Sequence, residues 1–182
     1  QAGFTSEAIA TRMKQLPLLF MDGEARRRQR AKVARYFAPR TVSTRYRDLM
    51  EASAEALVAE MTDAGVSRLE KVTLRYSVEV AAQVIGLTNS PIGPMARRLE
   101  KFFDQPTFDL TKPGVGRSRF QAIQAAVAGN VPMLGFFLAD VWPAIRARRK
   151  RPEEDVISHL LDEGYDNAGI LIECVTYGAA GM

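Results

Sequence analysis

From Arg26 to Arg47 the chain carries nine basic residues and no acidic one. Arg26, Arg27, Arg28, Arg30, Lys32 and Arg35 fall within one predicted helix. Arg26 and Arg30 are spaced i, i+4 and so share a helix face. Two guanidiniums on one face can hold carboxylates or phosphates through forked hydrogen bonds. The plainer meaning of such a run is a solvated basic face. Basic helices also bind phosphate backbones. Here the surrounding helices are long and apolar and no DNA-reading motif is present, so nucleic acid is not the expected partner. A second basic run, at 146–151, stands just before Pro152. It reads as a solvated helix end, where cations suit the dipole.

The second chemical feature is the terminal run Ile170-Leu171-Ile172-Glu173-Cys174-Val175-Thr176-Tyr177-Gly178-Ala179-Ala180-Gly181. A helix apolar on nearly all sides belongs in the centre of a sizeable fold. Its glycines each cost a helix roughly 1 kcal/mol relative to Ala. They make sense if a flat, bulky group lies against the backbone, or if two helices pack tightly there. The sequence leaves both open.

Other chemistries find little support. Cys174 is the single cysteine, so no internal disulfide framework is available. His159 is the single histidine. Together they supply two good zinc ligands where a structural site takes four. No metal ligand is therefore assigned within the chain, and no catalytic triad is built on His159. A composition 47% hydrophobic and 25% charged is that of a globular protein, not a disordered one. The most apolar stretches, 131–145 and 169–182, are interrupted by Asp140 and Glu173. Neither reaches the roughly 20 apolar residues of a membrane span. With no signal-peptide pattern at the start, a cytoplasmic location is expected. The chain opens on Gln and breaks off in an uncapped apolar run, so it is expected to be a segment of a larger protein.

The elements that must position these residues are helical. A helix is predicted over 24–37, with Asp22 as N-cap and Pro39 as stop. A longer amphipathic helix over 41–64 carries Tyr46, Leu49, Met50, Ser53, Leu57 and Met61 on one stripe and ends at Gly65. A third covers 69–87, with Leu74, Val78, Ala81, Ala82 and Ile85 inward. Another starts at Asn89-Ser90-Pro91 and runs to about Gln105. Residues 106–116, with Pro106, Pro113, Gly114 and Gly116, read as a loop. A helical stretch covers 117–150, with a kink or break expected at Pro132. A short acid-led helix follows Pro152, and the apolar terminal helix begins near Asn167. No segment alternates as a strand.

The stretch Phe20-Met21-Asp22-Gly23-Glu24-Ala25-Arg26-Arg27-Arg28-Gln29-Arg30, followed by Phe37-Ala38-Pro39-Arg40-Thr41-Val42, resembles the C-helix region of bacterial cytochromes P450. The family pattern there is Asp-Pro-Pro-Glu-His-x-x-x-Arg and then Phe-Thr-Pro-Arg. Ala180-Gly181 resembles the first half of the family's Ala-Gly-x-x-Thr motif in the I helix. Gly23 stands where the family commonly has Pro, Ala25 where it has Glu, and Arg26 where it has His. An arginine still donates to a carboxylate there, without titrating near neutrality.

The resemblance covers the whole chain. It implies that residues 1–182 are an all-α segment of a cytochrome P450-type fold, spanning the B–C loop, helices C, D, E, F, G and H, and the start of I. Residues 91–140 would be the F and G helices that roof the pocket. It implies a heme-thiolate monooxygenase that hydroxylates a hydrophobic small molecule with O2 and electrons from a ferredoxin-type partner. Heme contacts fall to Arg26, Arg30, Phe37, Leu19 and Ala180. Substrate contacts fall to Leu16, Leu19, Thr176 and Ala179. Ala180 and Gly181 mark the oxygen-activating motif. Arg27, Lys32 and Arg35 would form the basic face for an acidic ferredoxin. The heme-ligating Cys is expected outside this chain, because Cys174 lies mid-helix without the family's Phe-x-x-Gly surroundings. The oxygen-activating Thr is expected beyond Met182, so the isolated segment is expected to be inactive. The rival expectation is a heme-free helical binding module whose basic helix contacts nucleic acid or an acidic protein.

Overall fold

The computed structural model describes residues 16–103 and 131–180. The expected loop at 106–116, the start of the 117–150 helix and Gly181 lie outside the described residues. Leu19, Ala179 and Ala180 are described for their backbone only. Among the described residues every regular element is helical and none is a strand.

A single 3-10 turn, Leu18–Phe20, leads into α1, Gly23–Ala34. Asp22 occupies the N-cap position with extended backbone, but its side chain makes no capping bond. Gly23 follows with φ of 60°, which glycine tolerates. Glu24 suits the positive end of the helix dipole, and it pairs with Arg27 at 3.1 Å. Only Gln29 and Val33 of α1 are buried, so the helix lies on the body by a narrow stripe and shows its arginines to solvent.

The expected helix over 41–64 is interrupted near its start. A turn at Pro39–Thr41 passes into a π-helical segment, Val42–Tyr46, before α2, Arg47–Ala64. Tyr46, Ser53 and Leu57 are buried, with Leu49, Met50 and Met61 half-buried on the same stripe. Gly65, with φ of 69°, closes α2. Helix α3, Leu69–Ile85, is the central element. It packs against α2 and against α4, Ile92–Phe103.

Residues 131–136 are helical and run through a second π segment, Phe137–Val141, into α5, Trp142–Lys150. The turn before Pro132, where a kink or break is expected, lies outside the described residues. The irregularity is at Pro143, in the first turn of α5. Proline has no N–H to return to the carbonyl of Ala139, and the widened π turn accommodates that loss. Helix α6, Val156–Asp162, is capped by Asp155, whose carboxylate accepts from the Ser158 amide at 2.8 Å. Helix α7, Asn167–Ala180, packs on α3, α6, the second π segment and the 3-10 turn.

Val78, Ala82, Ile85, Met95, Leu99, Phe136, Val141, Ile145, Ile157, Leu160, Ile170 and Cys174 form one contiguous core. Two buried ion pairs cross it. Arg98 grips Asp140 with both Nε and Nη2, at 2.7 and 2.6 Å, and Ser90 donates to the same carboxylate. Arg148 pairs with Asp155 and donates to Thr88 Oγ1 at 3.0 Å. Each satisfies a charge that burial alone would make costly. Among the described residues no helix is long and apolar enough to cross a membrane.

Candidate functional site

The side of α1 from Arg26 to Ala34, with the segment that follows it, and the C-terminal half of α7 line a cavity of about 700 Å3. Its walls are Leu18, Arg26, Arg30, Val33, Ala34, Phe37, Ala38, Pro39, Thr176 and Tyr177. Arg26, Arg30, Phe37 and Thr176, singled out from sequence, therefore meet in one place, although Thr176 is about 140 residues distant in the chain. The volume lies within the roughly 300–1,000 Å3 of ordinary ligand sites.

Both cavity arginines are exposed at the rim. Among the described residues neither has a carboxylate partner. The other cations of α1 differ. Arg27 and Arg28 pair with Glu24, and Lys32 reaches Glu163 at 2.6 Å. Arg35 lies over the Tyr36 ring at 4.9 Å and donates to its hydroxyl. The expected docking residues Arg27, Lys32 and Arg35 are thus each engaged within the chain, whereas Arg26 and Arg30 are left for an anion.

The apolar side is built from both helices. Phe37 is 44% exposed and its ring lies 5.6 Å from that of Tyr177, tilted by 35°. Thr176 donates its hydroxyl to Ile172 O at 2.8 Å, so that hydroxyl is already engaged within α7. Leu16, expected to touch substrate, is not a wall residue. Its carbonyl accepts from the Tyr165 hydroxyl at 3.2 Å, and Leu18 takes its place in the cavity. The side chains of Leu19, Ala179 and Ala180 lie outside the described set.

Gly178 resolves the alternative left open by the glycines at one position. A Cβ there would meet Leu99 Cδ1 at 3.9 Å. The glycine faces α4, so at this residue the small side is helix packing. Cys174 is 1% exposed and shares that core-facing side with Val78, Met95 and Leu99. Burial pushes its thiol well above the ordinary range, so it stays protonated. It is not among the residues that line the cavity.

A polar group that sequence reasoning passed over stands behind the cavity wall. Glu173 is fully buried, and Leu18 N–H donates to its Oε1 at 2.5 Å. Burial raises its carboxyl above the usual range, opposed by the Leu18 amide and the Tyr177 hydroxyl. Neither Glu173 Oε2 nor the Tyr177 hydroxyl has a well-formed hydrogen bond. The available signal was an acid inside an otherwise apolar helix, which is seldom left without a partner.

No protein-family model matches the sequence, and no curated protein does.

Proposed function

We propose that the chain is the helix-C to mid-helix-I segment of a heme-thiolate monooxygenase that hydroxylates a hydrophobic small molecule with O2 and electrons from a ferredoxin-type partner. One observation carries this: two arginines, one helical turn apart and without a carboxylate partner among the described residues, stand at the rim of an apolar cavity whose opposite wall is α7. That arrangement suits a flat, apolar anion bearing carboxylates on one edge.

The residues present fit heme on two counts and leave a third to the rest of the protein. Arg26 and Arg30 would hold the propionates, since guanidinium forks match carboxylates. Val33, Phe37 and Thr176 offer the apolar contact that a porphyrin face takes. Among the described residues no thiol faces the cavity, so the axial thiolate is expected from outside this chain. With that ligand, the heme supplies oxygen activation. The chain's own residues bind, orient and exclude water. Arg26 and Arg30 fix the edge of the group, and Phe37 and Tyr177 cover part of its surroundings. A ferredoxin would meet the exposed face of α1, where Arg27, Lys32 and Arg35 exchange weak surface contacts for acidic ones.

Hemin titration followed by absorbance tests the first part. The chain should bind hemin saturably, and Arg30→Ala should weaken binding about tenfold, the loss of one charge-assisted pair. Binding unchanged by Arg30→Ala and Arg26→Ala removes the propionate assignment. A longer chain carrying a downstream Cys should give the carbon monoxide difference band of thiolate-ligated ferrous heme. Absence of that band rejects the enzyme.

A further inference from the structure

Glu173 is an anomaly in its helix. It is a carboxyl with no exposure, in the middle of an apolar run, and among the described residues no cation pairs with it. A buried acid is costly, so a residue that serves no contact there would be expected to be apolar. Its contact is with backbone. Leu18 N–H donates to Oε1, and Leu18 lies about 155 residues away in sequence, on the turn that forms one wall of the cavity. A second polar side chain reaches the same segment, as the Tyr165 hydroxyl donates to Leu16 O at 3.2 Å. One turn beyond Glu173, Tyr177 supplies the opposite wall.

We propose that Glu173 is the positioning residue of the cavity. Through Leu18 N–H it fixes the 16–20 segment to α7, with Tyr165 as a second tether, and so sets the spacing of the walls at Leu18 and Tyr177. The titratable groups around the carboxyl are Tyr165 from the turn after α6, and Cys174 and Tyr177 from α7. The segment is thus joined to α7 by the Leu18 hydrogen bond and to the turn after α6 by the Tyr165 one. A side chain at position 173 that cannot accept frees the Leu18–Phe20 turn. The role does not depend on the anion being heme.

Fluorescence titration of the full chain with anilinonaphthalene sulfonate, an apolar anion, tests this. The wild type should bind saturably, and Arg26→Ala with Arg30→Ala should abolish that binding, which places the probe in this cavity. Glu173→Leu should weaken it by roughly tenfold, the scale of one hydrogen bond to a charged group. Glu173→Gln, which keeps an acceptor for the Leu18 amide, should restore it to within about threefold. Hydrogen exchange at the Leu18 amide should speed up in the Leu variant and not in the Gln variant. Equal affinity in Glu173→Leu and wild type overturns the proposal, as does a Gln variant as weak as the Leu one or a wild type that does not bind. If Glu173→Leu does not fold, Tyr165→Phe decides. Unchanged affinity and unchanged Leu18 exchange in that variant overturn the proposal as well. A chain that binds this probe but not hemin would leave Glu173 in its role and reject the heme reading alone.

Discussion

Leu18 N–H and Glu173 Oε1 meet at 2.5 Å and join the turn before the first helix to the middle of the last. The bond holds a residue of the cavity wall, and the burial of its acceptor fixes the sign of a stability effect. The Glu173 carboxyl is raised by burial, so the folded state prefers it protonated. An acid with a raised folded value contributes stability that is present below its unfolded pKa and lost as pH rises through the folded one. Glu173→Gln removes the titration. The variant should therefore gain in urea midpoint relative to wild type as pH is raised from about 4.3, the unfolded reference for Glu. A midpoint difference that stays flat across that range contradicts the assignment.

His159 has the opposite sign. It is 8% exposed, its Nε2 has no hydrogen-bond partner among the described residues, and its ring lies 6.1 Å from that of Tyr36, two residues beyond the end of α1. Burial lowers its pKa, with Arg35 and Lys32 adding to the effect and Glu163 opposing it. A histidine with a depressed folded value contributes stability that is present above the unfolded pKa of about 6.5 and lost as pH falls below it. Wild type should lose thermal stability as pH is lowered from that value, and His159→Phe should lose less. An identical acid dependence in the two proteins counts against a neutral His159.

Helix existence was legible in this sequence because α2 and α3 carry an apolar stripe, α7 is apolar on nearly all sides, and Gly65 stops α2. The third helix, expected over 69–87, ends at Ile85 because Gly86 takes a positive φ. Arg26 and Arg30 were legible from their spacing on a helix, and Phe37 and Thr176 were singled out with them only through the resemblance; all four line the cavity. The two π segments were not legible. One precedes Pro143 and the other follows the Pro39–Thr41 turn, and a single widened turn leaves no periodic trace. Leu18 and Glu173 were missed for a different reason. Their bond runs from a backbone amide to a side chain across most of the chain, and no local pattern encodes it. Leu16 was chosen in place of Leu18 because neighbouring leucines in a loop give no clue to which one turns inward.

Gly86 tests how tightly the lower half of the body is fitted. Its φ is 100°, and a Cβ there would collide with the Asp155 carboxylate. That carboxylate already serves Arg148 and the first turn of α6. Gly86→Ala therefore imposes backbone strain and displaces a buried ion pair together. The expected cost is about 3 kcal/mol, read as a lowered chemical denaturation midpoint, with most of it from the pair. A loss below about 1 kcal/mol, the ordinary cost of an exposed left-handed glycine, would mean that Asp155 is free to move aside.

Asp140 should show how much α4 depends on the second π segment. Its carboxylate is fully buried and takes both guanidinium nitrogens of Arg98 and the Ser90 hydroxyl. Asp140→Ala leaves Arg98 without its partner in a site that is 25% exposed on the arginine side. Removing one member of a buried pair costs about 3–5 kcal/mol, and partial access to water places this case at the lower end. Arg98→Met in the same background removes the stranded cation and replaces it with an apolar side chain of similar length. The double variant should therefore recover part of the loss in a denaturation experiment. If it is as unstable as Asp140→Ala or worse, the cost lies with the Ser90 contact and the π segment, and the ion pair is not what holds α4 in place.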